Sequence, residues 1–212
     1  MKKLMLAVAA VAAGSWGAAV AAAEDLEVLD AQIAQTVAQV LMEGAEKIEE
    51  LQVKVEGDLE KSCGVHRDRV GILLVPQKDI KPENEAVNAD PGAPLAHMFM
   101  SEGFTLVLDG KPVDTAKLRT FSVQGPDGND MKVIYLTLAA RHLDDDSWHL
   151  YGYGVDEKPL LDVAIGEGSG PGTEPLALEV KEFDDNAGTA YVTIFDRFQS
   201  NFKVAYKEPA QK

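Results

Sequence analysis

Short strand-like segments separated by turn residues fill the second half of this 212-residue chain. They lie at residues 104–108, 118–123, 131–140, 147–153, 160–165, 176–180, 190–195 and 202–206. Strands at intervals of roughly a dozen residues, with turn signals such as Asp109-Gly110 between them, are typical of antiparallel sandwiches and bent sheets. We therefore predict a β-rich domain over residues 101–207, followed by a short polar tail at 208–212.

The segment 131–140 has the strongest strand character, because β-branched and aromatic residues dominate it. Its alternation predicts two opposed sets of side chains: Val133, Tyr135 and Thr137 against Ile134, Leu136 and Leu138.

A helical pattern precedes the strands. Apolar residues recur at intervals of three, four or seven: Ile33, Val37, Val40, Leu41, Ile48, Leu51 and Val55. This spacing predicts one long amphipathic helix over residues 24–57, with Gly44 on its apolar face. A helix of this length packs across a sheet or pairs with another helix, so a homodimer through residues 25–56 is one expectation.

Residues 58–75 read as a connection followed by a strand at 70–75, which Pro76 ends. The strand is apolar throughout, which predicts burial on both faces. Four prolines and many charges follow between 76 and 94, and we expect an exposed loop over 76–100. Together these elements predict an α+β fold: a long N-terminal helix and one buried strand before a mainly antiparallel sheet or sandwich.

Residues 1–23 resemble a secretory signal peptide. Lys2 and Lys3 precede an alanine-rich apolar run, and Ala21-Ala22-Ala23 supplies an A-x-A-like boundary before Glu24. This order predicts an exported protein, periplasmic or extracellular, with no stable membrane insertion after cleavage. An uncleaved membrane anchor is the alternative reading.

The chain is acidic. It carries 20 Lys+Arg against 35 Asp+Glu, and loss of Lys2 and Lys3 with the leader changes the net charge from −15 to −17. Such a surface repels nucleic acid and anionic membranes, and favours cations or a basic partner. The single cysteine, Cys63, excludes an internal disulfide and is expected to be buried or incidental.

His97, Met98 and Met100 form the first candidate site. Thioethers favour Cu(I) and imidazole suits both copper states, so this segment could handle copper if His66, His142 or His149 completed the site. In a strand, however, Met98 and Met100 would share one face and His97 would lie on the other. The alternative is an ordinary core segment with a surface histidine.

The second candidate is an alternating stripe of His149, Tyr151 and Tyr153, which would project from one face of a strand. Trp148 and Leu150 would then point into the core. A histidine and two phenol rings beside Gly152 could stack against a sugar or a peptide, and a protein or saccharide partner is the expectation that follows. The alternative is a half-buried sheet face.

Acidic turns offer oxygen ligands for calcium at 127–130, 144–146 and 184–186, but none has EF-hand spacing. Tight turns need the same residue types for their own geometry. Sequence motifs of serine hydrolases, zinc proteases and nucleotide-binding proteins are absent. The favoured function is a non-catalytic, exported binding or envelope-associated protein without a cofactor. Periplasmic copper or calcium binding and a hydrolase with a scattered site remain open.

Overall fold

The computed structural model describes residues 26–68, 70–80, 90–125, 128–168, 174–184 and 186–208. Within these ranges one α-helix, α1, spans Ala31–Ala45, and short 3-10 turns lie at Leu59–Lys61 and Thr115–Lys117. The strands are β1 (Glu27–Val28), β2 (Cys63–Arg67), β3 (Val70–Pro76), β4 (Ala93–Ser101), β5 (Phe104–Leu108), β6 (Lys111–Pro112), β7 (Arg119–Gln124), β8 (Asp130–His142), β9 (Trp148–Tyr153), β10 (Leu161–Glu167), β11 (Leu176–Asp184), β12 (Ala187–Ile194) and β13 (Phe198–Tyr206).

All paired strands are antiparallel and belong to one curled, half-barrel sheet. Its main order is β1-β2-β3-β4-β8-β9-β10-β13-β12-β11. The long strand β8 pairs with β7 along one half and with β9 along the other, while β13 is shared in the same way between β5 and β10. The curl brings β11 against β2. The described part of the chain is therefore mostly antiparallel β with one α-helix, which confirms the coarse prediction.

The hairpin expected at Asp109-Gly110 is confirmed. Leu108 pairs with Lys111, so the loop has two residues, and both have positive φ, 51° for Asp109 and 72° for Gly110. These values match a type I′ turn, whose twist suits an antiparallel pair.

Two apolar layers cover the middle of the sheet. The inside of the curl holds the larger cluster, which includes Val65, Ile72, Leu74, Met98, Met100, Ile134, Leu136, Leu138, Leu150, Val192 and Val204. The outer layer joins α1 to Leu73, Val75, Phe99, Val133 and Tyr135. Neighbouring residues of β3 and β8 thus enter opposite layers, which confirms the predicted double burial of 70–75 and the alternation along 131–140.

The prediction of a long helix over 24–57 is wrong. Helix α1 starts after Asp30, whose carboxylate accepts hydrogen bonds from the backbone N–H groups of Gln32 at 2.9 Å and Ile33 at 3.4 Å. It ends at Ala45. The face that packs on the sheet consists of small residues and one leucine: Ala34, Ala38, Leu41, Gly44 and Ala45. Ile33 and Val37, expected on the packed face, are exposed.

Residues 46–56, the strap, cross the outer face of the sheet without regular secondary structure beyond a turn. Val53 is buried and Val55 half-buried against Ala139 and the tyrosines of β9, while Lys54 between them is exposed. The stretch from Leu51 to Val55 therefore alternates with a period of two, the period of an extended chain. Its apolar residues at positions 51 and 55 also fit a helix, which explains the wrong prediction.

The predicted exposed loop over 76–100 is wrong in its last part, because Ala93–Ser101 form β4. This strand lies between β3 and β8, and its residues from Leu95 to Met100 are buried. Pro94 lies where the register with β8 shifts, an irregularity that tolerates a residue without an N–H group.

The predicted signal peptide, 1–23, lies outside the described residues, as do residues 81–89 of the predicted loop and most of the tail. In the part of the chain that the structure covers, no helix is both long and apolar enough to cross a membrane.

Candidate functional site

Three aromatic side chains line one rim of the curled sheet, at strand ends. His142 is the last residue of β8, Trp148 the first of β9 and Phe198 the first of β13. The rings of His142 and Trp148 stack with centroids 4.7 Å apart and planes 30° apart. Trp148 and Phe198 follow at 6.4 Å and 14°. We call these three residues the rim row.

The rim row is open to solvent. Trp148 is 38% exposed and the His142 side chain 36% exposed, while Phe198 is half-buried against the inner cluster. The sequence predicted that Trp148 and Leu150 both lie in the core. Leu150 does, but the prediction is wrong for Trp148. Trp148 and Leu150 lie on the same, inner face of β9. Trp148 is the first residue of the strand, however, and therefore lies at the edge of the sheet, where solvent reaches its side chain.

Charged groups surround the rim row. Asp146 accepts a hydrogen bond from His142 Nε2 at 2.8 Å. The Arg197 guanidinium lies over the Phe198 ring, 5.6 Å from its centroid. In the same turn the Asp145 carboxylate accepts from the Ser147 hydroxyl at 2.5 Å and from its backbone N–H at 3.1 Å. These bonds lower the pKa of Asp145.

The predicted stripe of His149, Tyr151 and Tyr153 lies on the opposite, outer face of β9. Adjacent rings meet edge-to-face at 6.2 and 6.3 Å, so the three residues do share one face. Tyr151 and Tyr153 are only 6% and 1% exposed, because Val53 of the strap covers them. Little of the stripe's aromatic surface is therefore open to a ligand.

Each tyrosine of the stripe has a structural partner. Tyr153 donates to the carbonyl oxygen of Pro91 at 2.9 Å, and burial raises its pKa to about 12. The Arg141 guanidinium lies 5.8 Å from the centre of the Tyr151 ring and pairs with Asp90. The accessible part of the stripe is His149, whose Nδ1 lies 2.5 Å from Asp162 Oδ1. This is the arrangement of a base and an orienting carboxylate.

The structure does not bring His97 together with Met98 and Met100. The two methionines are buried in the inner cluster, while His97 lies on the outer face between Phe99 and Tyr135, with ring centroids 6.0 and 5.7 Å away. Among the described residues, no group of three or more His, Cys, Asp or Glu side chains could hold a metal ion.

His97 is a core residue with both ring nitrogens bonded. Nδ1 lies 2.8 Å from the hydroxyl of Tyr135, and Nε2 lies 3.0 Å from the carbonyl oxygen of Val55. Burial lowers the pKa of His97 to about 4 and raises the pKa of Tyr135. A neutral imidazole therefore links the strap to the sheet, an arrangement that differs from the surface histidine of the alternative reading.

Arg119 is a residue that the sequence did not single out. Its Nε donates to the carbonyl of Gly154 at 2.8 Å, and its Nη2 donates to that of Glu50 at 2.8 Å. Weaker bonds reach the Glu49 carbonyl and the Gln52 side chain, both at 3.3 Å. The guanidinium thus fastens the strap to the end of β9, and Glu50 turns there with φ of 58°. This role of Arg119 depends on contacts with residues 35 and 69 positions away in the sequence, so no local sequence pattern indicates it.

No protein-family model matches the chain, and neither the curated proteins nor the solved structures contain a significant match.

Proposed function

We propose that this chain is a non-catalytic, exported saccharide-binding protein and that the rim row is its binding surface. The observation that carries the proposal is the exposed indole of Trp148 in a row of three roughly parallel rings. The proposed export rests on the sequence of residues 1–23.

The apolar face of a pyranose ring packs well on a large aromatic face, which the indole provides. Sugar hydroxyls need hydrogen-bonding groups at the edge of such a platform. The Asp146 carboxylate, beside His142, and the Arg197 guanidinium, beside Phe198, supply an acceptor and a donor there. The mouth of a curled or closed sheet is also a common place for ligands.

The surrounding charge favours a neutral saccharide over an anionic polymer. The chain has a net charge of −15, and the turn at 144–146 places three carboxylates next to the rim row. Phosphate- or carboxylate-bearing chains would be repelled by such a surface at moderate ionic strength.

The first experiment is a tryptophan fluorescence titration. The chain has two tryptophans, Trp16 and Trp148, so Trp16→Phe leaves the rim indole as the only one. The probes are tetramers of β-1,4-linked glucose and N-acetylglucosamine, whose equatorial substituents leave the ring faces free. We expect a saturable change in the emission of Trp148 with at least one probe.

Variants then test the surface by isothermal titration calorimetry with the same probe. Trp148→Ala should abolish binding, and Trp148→Phe should retain part of it because a smaller ring remains. Val155→Ala is the matched control, since Val155 is 46% exposed but follows the other end of β9. Absence of binding to both probes, or binding unchanged in a folded Trp148→Ala variant, would refute the proposal.

A hydrolase is the second candidate, and the His149–Asp162 pair is the observation that favours it. Chromogenic ester and glycoside substrates test it directly. Turnover that is lost in both His149→Ala and Asp162→Asn would support catalysis at this pair, whereas turnover that is absent or unaffected would remove it.

A further inference from the structure

One flank of α1 is apolar, and its first half is exposed. Ile33 is 53% exposed and Val37, one turn further on, is 36% exposed. Val40 continues the same flank and is half-buried, and Gly44 completes it against Phe121 of β7. We call Ile33, Val37 and Val40 the neutral flank. Of the five most exposed large apolar side chains in the described part of the chain, two are in this flank.

The helix that carries the neutral flank is also almost free of charge. Glu43 is the one ionisable residue among the 15 of α1, and the exposed positions other than Glu43, Ile33 and Val37 are glutamine and alanine. The whole chain, by contrast, is 26% charged and has a net charge of −15. Depletion of charge around exposed apolar residues is the compositional sign of the centre of a protein–protein interface.

We propose that the neutral flank binds a second copy of this chain, with the two helices antiparallel about a two-fold axis. Two copies repel each other over most of their acidic surface, so the flank is where close approach costs least in electrostatic energy. A two-fold axis makes the patch self-complementary, because Ile33 of each copy then meets the opposite end of the other copy's flank. A basic partner would be expected to choose an acidic surface instead.

The geometry also sets the strength of this contact. A helix of 15 residues is about 22 Å long, and one helix pair buries less surface than a standard stable interface. The dimer is therefore weak and dependent on concentration. Because like charges oppose it, salt should strengthen it, whereas salt would weaken an association driven by opposite charges.

Sedimentation velocity of the full chain tests the proposal over a wide concentration range, in low and in high salt. The double variant Ile33→Glu/Val37→Glu should raise the dissociation constant by about tenfold or more. The matched control is Gln35→Glu/Gln39→Glu, which adds the same charge to exposed positions on the opposite flank of α1. This control should associate nearly as well as the parent. Circular dichroism and thermal melting establish that each variant is folded.

Other occupants of the flank give different results. A chain beginning at Glu24 should still dimerise, and loss of association in that chain would assign the contact to residues 1–23 and overturn the proposal. A monomer at every concentration, equal effects of the two double variants, or weakening by salt would each overturn it as well. A dimer that disappears with reductant would point to Cys63 and likewise contradict it.

Discussion

The Nε2 atom of His97 lies 3.0 Å from the carbonyl oxygen of Val55, which is 42 positions away in the sequence. A carbonyl oxygen only accepts hydrogen bonds, so Nε2 is the protonated nitrogen of the neutral ring. Nδ1 is then the acceptor for the Tyr135 hydroxyl at 2.8 Å. These two hydrogen bonds join Val55 of the strap to Tyr135 of β8 through His97, and they occupy both nitrogen atoms of the imidazole ring.

The first prediction concerns acid. Burial lowers the pKa of His97 from 6.5 to about 4, so the unfolded chain binds a proton more readily than the folded one. The contribution of His97 to stability is therefore complete above about pH 6.5 and is lost as the pH falls towards 4. The loss amounts to about 3 kcal/mol, because the pKa values of the unfolded and folded chain differ by roughly 2.5 and a difference of one corresponds to about 1.36 kcal/mol. Urea unfolding at a series of pH values measures it.

The control for this prediction is His97→Gln, whose side-chain amide can still donate to the Val55 carbonyl but does not titrate. The carboxylates of the chain titrate in both proteins, so the difference between the two pH profiles isolates the histidine. Parallel profiles between pH 4 and 6.5 would contradict the assignment of a neutral buried ring.

The second prediction concerns Arg119. Arg119→Met keeps much of the side-chain volume but removes the donors that hold Gly154 and Glu50, and we expect a loss of about 2 kcal/mol in the free energy of unfolding. Hydrogen exchange should show increased opening of the strap while the inner strands stay protected. Lys117→Met, an exposed neighbour, is the control and should change stability little. Equal losses in the two variants would argue against the fastening role.

Much of the sheet could be predicted, because its signals are local. The alternation in β8 and the Asp109-Gly110 turn follow from the period of a strand and the φ values of a type I′ turn. The end of α1 could not be predicted in the same way. Residues Leu51 and Val55 fit both a helical and an extended period, and the choice depends on the distant tyrosines of β9 and on Arg119.

The candidate site was predicted less well than the fold. The alternation in β9 correctly separates His149, Tyr151 and Tyr153 from Trp148 and Leu150, but alternation does not say which face is covered. The strap covers the tyrosines, and Trp148 lies at the open rim next to Phe198, which is 50 positions further along the chain. The exposure of these side chains therefore depends on contacts between distant parts of the chain, which the local sequence pattern does not contain.

The third prediction concerns the single thiol. Burial raises the pKa of Cys63 to about 12. At pH 8 about one thiol in ten thousand would then be ionised, and the thiolate is the reactive form. We expect very slow reaction with a disulfide reagent in the folded chain and rapid reaction in urea. Cys63 is partly buried against the inner cluster. Rapid reaction of the folded chain would contradict the raised pKa and would restore Cys63 as a candidate intermolecular contact.

The last prediction concerns Gly44, where α1 lies closest to β7. A Cβ atom at this position would lie 2.7 Å from Cδ2 of Phe121 and 3.1 Å from Cγ1 of Val123. The Phe121 ring has little room to move, because Phe99 and Tyr135 meet it edge-to-face at 6.1 and 6.3 Å. Gly44→Ala gains about 1 kcal/mol in helix propensity, but overpacking costs about 1–3 kcal/mol. We expect a net loss of stability in thermal or urea unfolding.

A double-mutant cycle separates these two effects of Gly44→Ala. Phe121→Leu should remove the clash, so that adding Gly44→Ala to it is neutral or stabilising, in contrast to its effect on the parent chain. If Gly44→Ala stabilises both backgrounds equally, the helix does not approach the β7 aromatic as closely as the structure has it. A smaller loss in the double variant than the sum of the single losses would instead establish that close contact between Gly44 and Phe121 sets the position of α1 on the sheet.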